Sequence, residues 1–261
     1  LVARTSLRAS AWMSARVPHE VIVVSRQLED DFDAQYGRAT NHIPNGATPP
    51  DWTIPVGTDV RQRFGLDGRP YLLNVGRLVP EKAMDQAILA FRDVDTDARF
   101  VIVGGSSHTS EYVDRLGELA AADDRVVLTG PIYGDELHEL FCGAAAYLMP
   151  SLLEGLPLAL LEAAMYRLPL IVSDIPPHLE VVESDGLGHR VFRTGDREDM
   201  GCAIRQTLVD LPSSADACRQ LEQRVTEEYS WKKITSLTED VYRRAVARRG
   251  GSGSSGSRSS G

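Results

Sequence analysis

Residues 71–91 read YLLNVGRLVPEKAMDQAILAF. The nearly continuous apolar run Tyr71–Val75 predicts a strand buried on both faces, because a half-exposed strand would alternate apolar and polar residues. It stops at Gly76, and Glu81–Phe91 then places Met84, Ala87, Ile88 and Phe91 on one face of a helix. A buried strand that runs through a short loop into a helix is the opening of a βαβ unit. The pattern recurs along the chain. Further candidate strands are Val21–Ser25, Phe100–Val103, Val126–Thr129, Ala146–Met149, Leu170–Ser173 and Arg190–Phe192. Helical stretches lie at Asp135–Cys142, with Asp135 as its cap, at Leu156–Met165 and at Asp199–Leu208. Strands alternating with helices imply a parallel sheet covered on both faces, so Tyr71–Phe192 reads as a Rossmann-like, doubly wound α/β domain. Ligands of such sheets bind beyond the carboxyl ends of the strands. Downstream, Asp216–Arg249 reads as two helices, the second opening near Ser230-Trp231 with an apolar stripe of Trp231, Ile234, Leu237, Val241 and Tyr242.

Composition narrows the function classes. The chain has 261 residues, 43% hydrophobic and 25% charged, ordinary globular usage that excludes collagen, coiled coil and general disorder. A net charge of −9 argues against a nucleic-acid or anionic-membrane binder. No apolar run approaches the ~20 residues of a spanning helix. Cys142, Cys202 and Cys218 are widely spaced and form no C-x-x-C pair, which supports neither a disulfide framework nor a zinc site and suits a reducing, cytoplasmic compartment. The first 18 residues carry Arg4, Arg8 and Arg16 and no acid, as a transit peptide does. No small-residue cleavage site follows an apolar core, so they read instead as a helix within a longer chain.

Two loops at predicted strand ends carry chemistry. In Gly76-Arg77-Leu78-Val79-Pro80-Glu81-Lys82, Gly76 allows close approach to the backbone, Arg77 offers a planar fork for phosphate oxygens and Lys82 a compact charge. Together they can neutralise a diphosphate; the plainer alternative is two surface charges near a helix start. In Pro150–Glu162, PSLLEGLPLALLE, Pro157 suits a first helical turn, and the N–H groups of Gly155, Leu156 and Leu158 can face an anion. Glu154 and Glu162 can each accept from a sugar diol; the alternative is a dipole-favoured carboxylate and a solvated one. Glu162, within a mostly apolar helix, needs a partner. Thr129–Gly134, with Ile132 and Tyr133, can pack a planar base. Val103-Gly104-Gly105-Ser106-Ser107-His108 lacks the dinucleotide fingerprint, which sets a nicotinamide dehydrogenase aside. His138 reads as structural or solvated.

In this order, the segments VIVVS, IPNG (Ile43–Gly46), VGRLVPEK, LTGPIYGDEL, PSLLEGLPLALLEA, VSDIPPHLEVV and SWKKITSLTEDVYRRA resemble the nucleotide-binding half of retaining GT-B glycosyltransferases, specifically glycosyltransferase family 4. The resemblance spans roughly Val21 to Arg249. It implies a glycosyltransferase that moves a sugar, with retention, from a UDP-, GDP- or ADP-sugar. Arg77 and Lys82 match the pair that holds the donor diphosphate. Glu154 and Glu162 match an E-x7-E pair, the first near the transferred sugar and the second on the ribose. Gly155, Leu156 and Leu158 match the helix start beneath the phosphates, and Ile132-Tyr133 the region beside the base. The resemblance implies no metal ligand set and no further cofactor.

It also implies a domain plan. Residues 1–20 are expected to be the remnant of a helix or linker from an N-terminal acceptor domain, and 21–210 the nucleotide-sugar-binding domain. Residues 211–249 then form C-terminal helices and 250–261 a flexible Gly/Ser tail. The acceptor, a glycan, lipid or small molecule, would belong to the preceding domain, as would any membrane association, and this chain alone would be inactive. The remaining alternatives are a non-catalytic nucleotide-binding module or gene fragment, and a GT-B nucleotide-sugar epimerase. Two positions depart from the family's usual glycines. Ala83 follows the lysine, and Arg167 stands before the strand after the E-x7-E helix, removing the residue that favours an αL helix end.

Overall fold

The structure, a computed structural model, describes residues 2–105, 110–182 and 188–251. Ser106, Ser107 and His108 of the third loop, and residues 252–261 of the expected tail, lie outside the described residues. In chain order the elements are α1 (Val2–Arg16), β1 (Ile22–Val23), α2 (Arg26–Tyr36), β2 (Asn41–His42), α3 (Asp59–Arg63), β3 (Tyr71–Val75) and α4 (Met84–Arg92). There follow β4 (Arg99–Val103), α5 (Ser110–Ala121), β5 (Val126–Gly130), α6 (Gly134–Gly143), β6 (Ala146–Met149), α7 (Leu158–Met165) and β7 (Leu170–Ser173). The chain closes with α8 (Pro176–Val182), β8 (His189–Phe192), α9 (Arg197–Asp210), α10 (Ala215–Glu228) and α11 (Trp231–Gly251).

The described residues divide into two compact units, one of residues 2–46 and 228–251, the other Ala47–Glu227. In the first, β1 and β2 form a two-stranded parallel sheet, Ile22 opposite Asn41 and Val23 opposite His42. The strand expected at Val21–Ser25 shortens because Ser25 leaves the sheet to cap α2, its hydroxyl accepting from the Leu28 N–H. Residues 21–46, read from sequence with the larger domain, fall here because their strands pair only with each other. The stripe expected on α11 is narrower than predicted. Ile234 and Val241 are buried with Ile43, whereas Trp231, Leu237 and Tyr242 are exposed. Gly46 lies against the Trp231 indole, and a Cβ there would collide with the ring.

The second unit holds a six-stranded sheet of order β5-β4-β3-β6-β7-β8, every pair parallel. The expected doubly wound α/β fold is the observed one. Strands β3, β4, β6 and β7 are almost wholly buried, as their apolar runs require. On one face Leu72, Phe100, Ile102, Leu148 and Ile171 pack with Ile88 and Phe91 of α4, Leu116 of α5 and Ile204 of α9. Tyr71 donates to the Leu140 carbonyl of α6 at 2.6 Å, and α7 packs on β6 and β7. The chain runs outward from β3 to β5, then returns to the other side of β3 for β6 to β8. Strand order therefore reverses between β3 and β6, the place where α/β sheets open a crevice for ligands.

Local boundaries differ where backbone conformation overrides residue pattern. The helix expected over Glu81–Phe91 breaks at Ala83, which is left-handed at φ 52°, so Pro80–Lys82 forms a separate 3-10 turn before α4. Asp135 does not cap α6: it lies inside the first turn, with Tyr133 at the cap position. Pro157 precedes rather than opens α7. Arg167 adopts the αL conformation at φ 60° despite its side chain. Its N–H bonds the Ala164 carbonyl at 2.9 Å and the Leu168 N–H bonds Ala163 at 3.1 Å, the paired closure of a Schellman end. His138 is buried rather than solvated, its Nδ1 2.8 Å from the Tyr166 hydroxyl.

Candidate active site

The loops after β3, β4 and β5 are tied together by backbone bonds. Gly76 donates to Val103 at 3.0 Å, Leu78 to Gly105 at 3.1 Å and Gly104 to Gly130 at 3.0 Å. Gly104 sits at φ 153°, and a Cβ on it would fall inside the Gly76 carbonyl oxygen. At Gly76 the reverse holds: a Cβ would meet no heavy atom within 4 Å. The open face of Gly76 therefore looks into space, and that space is a cavity of ≈ 260 Å³. Gly76, Arg77, Gly104, Pro131, Ile132 and Tyr133 line it. Ile132 is buried in its lining, while Tyr133, 78% exposed, lines it from the solvent side. Arg77 is exposed and has no ion pair among the described residues.

Across the switch point a second group of residues converges. Lys82, at the end of the 3-10 turn, donates its Nζ to Glu154 Oε1 in the loop after β6. Both side chains are largely sheltered, Lys82 at 20% and Glu154 at 9% exposure. The Leu152 N–H donates to the Glu81 carbonyl at 2.8 Å and holds the two loops together. The same Glu154 oxygen accepts from the Ser151 hydroxyl at 2.7 Å. Behind it, Ser173 Oγ donates to the Ser151 carbonyl at 2.6 Å, and His178 Nδ1 lies 3.1 Å from both Ser173 oxygens. Burial pushes the His178 imidazole down to about 4.

Tyr147, fully buried on β6, anchors the floor between β3 and β6. Its hydroxyl donates to the Val75 carbonyl at 3.1 Å and accepts from the Val75 N–H at 3.2 Å. Burial raises its phenol well above the ordinary value, and the charges of Glu162 and Glu154 raise it further. Glu162 is exposed and makes no ion pair among the described residues, yet partial desolvation by its surroundings raises its carboxyl. At the entrance to α7 the Leu158 N–H bonds the Leu156 carbonyl at 3.0 Å. This tight turn removes Leu158 from the expected set of anion-facing donors. The N–H groups of Gly155 and Leu156 have no partner among the described residues. Among those residues, no group of three His, Cys, Asp or Glu side chains is placed to hold a metal ion.

The sequence profile of the family described as Glycosyl transferases group 1 matches residues 58–224, which includes every residue of this site. The chain belongs to that family. Among relatives of this group 1 chain, an uncharacterized glycosyltransferase of Methanocaldococcus jannaschii is 23% identical over 250 residues, covering 92% of this chain and 64% of its own length. A GDP-mannose-dependent alpha-(1-6)-phosphatidylinositol monomannoside mannosyltransferase of Mycobacterium tuberculosis is 29% identical over 241 residues, covering 85% and 61%. The structure of HepE from Anabaena in complex with UDP-glucose superposes with a TM-score of 0.81 at 17% identity, covering 94% of this chain and 68% of that one. These likenesses show a GT-B type fold. The group 1 chain spans less than two thirds of the length of either sequence relative.

The residues expected in the site from sequence thus fall into two neighbouring groups. Gly76, Arg77, Ile132 and Tyr133 share the cavity. Lys82 and Glu154, assigned separate tasks from sequence, are bonded to each other. Gly155 and Leu156 follow Glu154 in the loop before α7, and Glu162 lies within α7. Sequence reasoning missed Ser151, Ser173 and His178. All three fall within the segments PSLLEGLPLALLEA and VSDIPPHLEVV that carry the resemblance, but nothing in the local pattern joins a serine after β6 to a serine and a histidine around β7 and α8.

Proposed function

We propose that this chain is the donor-binding half of a retaining glycosyltransferase of family 4. The residue set Gly76, Arg77, Lys82, Glu154 and Glu162, arranged around one switch point, carries the reading. A sugar leaving a nucleoside diphosphate deposits negative charge on the diphosphate. Preorganised donors at that oxygen lower the barrier because they need no reorganisation as the charge develops. In this reading Arg77, Lys82 and the N–H groups of Gly155 and Leu156 receive the diphosphate. The open face of Gly76 lets it approach the backbone. Ile132 and Tyr133 pack the base, Glu162 accepts from the ribose hydroxyls, and Glu154 orients the transferred sugar. Retention and an acceptor held by a separate domain are what the family resemblance adds.

Calorimetric titration of UDP, GDP and ADP, each with and without an attached sugar, tests this. Arg77→Ala/Lys82→Ala should weaken binding, each charge-assisted phosphate contact contributing about 1.5–3 kcal/mol. Undiminished binding by the double variant, or none by the parent, would overturn the phosphate assignment.

A further inference from the structure

Ser151, Ser173 and His178 are all fully excluded from solvent, and they come from three elements: the loop after β6, the end of β7 and α8. Buried polar groups cost free energy unless hydrogen-bonded, so three in one line behind a single carboxylate need a reason beyond packing. The donors can be assigned. The Ser173 hydroxyl proton points to the Ser151 carbonyl at 2.6 Å. Toward His178, then, both Ser173 oxygens present lone pairs, each 3.1 Å from Nδ1. A bare nitrogen would be repelled by both, so Nδ1 carries the proton. Nε2 keeps its lone pair, buried and without a partner among the described residues. The ring is held from the Nδ1 side.

We propose that His178 is a positioning residue whose Nδ1–H fixes Ser173, which fixes Ser151, whose hydroxyl aims Glu154. Glu154 lies in a loop, where an unrestrained glutamate would sample many rotamers. The relay holds one oxygen against Lys82 and leaves the other available. A neutral ring suits the place, because a charged one would put a second cation near Lys82. Burial is the dominant cause of that neutrality; the attraction of Glu154 and the repulsion of Lys82 oppose one another. The aiming of Glu154 stands on the geometry alone. That the aimed carboxylate meets a donor sugar rests on the proposed function.

Nitrogen-15 NMR of the histidine-labelled chain tests the relay without ligand. His178 should show a protonated Nδ1 and a bare Nε2, unchanged from neutral pH down to mildly acid. The Glu154 carboxyl carbon resonance should move in His178→Leu and Ser173→Ala but not in His178→Asn, whose amide N–H replaces Nδ1–H. An Nε2–H tautomer, or a Glu154 resonance indifferent to all three variants, would overturn the inference. A second arm measures Kd for UDP against UDP-glucose, and GDP against GDP-mannose. His178→Leu should lose about three- to tenfold of the sugar-dependent gain, the ordering cost of a freed glutamate, with nucleoside diphosphate affinity kept. His178→Asn should restore the gain. If Glu154→Gln abolishes the gain and His178→Leu does not, the inference fails and the proposed function stands. If Glu154→Gln changes nothing while the NMR relay is present, the sugar assignment fails and the positioning stands. Equal loss of nucleoside diphosphate affinity in His178→Leu and His178→Asn would mark His178 as structural only and overturn it.

Discussion

Lys82 and Glu154 are 72 residues apart in sequence, yet their side chains are bonded across the gap where strand order reverses between β3 and β6. Each is the other's ion-pair partner. In the proposed function a donor phosphate would then compete with a carboxylate already bonded to Lys82, and its binding would release Glu154 from the pair.

Glu154→Gln should consequently raise affinity for the sugar-free nucleoside diphosphate, by ~1 kcal/mol, the scale of a partly sheltered ion pair. The same substitution should reduce the additional affinity conferred by the sugar. Calorimetry with UDP and UDP-glucose reads both. Weaker UDP binding by the variant would contradict the competition.

Two glycines facing the same loops should respond oppositely to alanine. Gly76→Ala adds a methyl to open space and should leave the urea midpoint unchanged while reducing nucleotide affinity. Gly104→Ala forces a Cβ into the Gly76 carbonyl at φ 153° and should destabilise by about 1–3 kcal/mol. Equal stability of the two variants would refute the loop geometry.

Ala83 holds φ 52° where glycine would do so without steric cost. Ala83→Val should lower unfolding free energy by about 1–3 kcal/mol, since a β-branched residue is poorly tolerated there. Ala83→Gly should stay within about 1 kcal/mol of the parent, relief of strain being offset by the lost buried methyl and greater unfolded-state entropy. Urea denaturation of the three proteins checks the order.

His178 makes stability depend on pH. Its folded value, about 4, lies below the ordinary 6.5, so between these limits the unfolded chain binds the extra proton. The contribution of the neutral buried ring is present above about pH 6.5 and is lost as pH falls toward 4, to the extent of ~3 kcal/mol. His178→Asn should flatten the pH dependence of the urea unfolding free energy over that window. A parent and variant with parallel pH profiles would place the histidine's titration elsewhere.

The architecture was legible because its signals are local. Strands β3, β4, β6 and β7 announce themselves as apolar runs that only a doubly covered parallel sheet can bury. Strand β2 has no such signal. Asn41-His42 is polar and short, held by the backbone bonds of Asn41 to Val21 and Ile43 to Val23, with the Asn41 side-chain amide donating to Val21 and Glu20 as well. The left-handed turns at Ala83 and Arg167 were signalled only by the family's usual glycines, because neither side chain favours the conformation that the surrounding bonds impose.

Sequence by itself determined strands β3 to β8 with helices α4, α6, α7 and α9 among them, the loops that could bear chemistry, and the candidates Gly76, Arg77, Lys82, Glu154 and Glu162. Each depends on neighbours within a few positions, whose spacing is read directly. Only the tertiary structure decided that Lys82 and Glu154 meet, that the Leu158 N–H is occupied, and that His178 stands behind Glu154 through Ser173 and Ser151. Those relations join residues from different strand ends. The sheet brings them together because parallel strands deliver all their carboxyl ends to one edge, and the reversal of strand order opens that edge between β3 and β6.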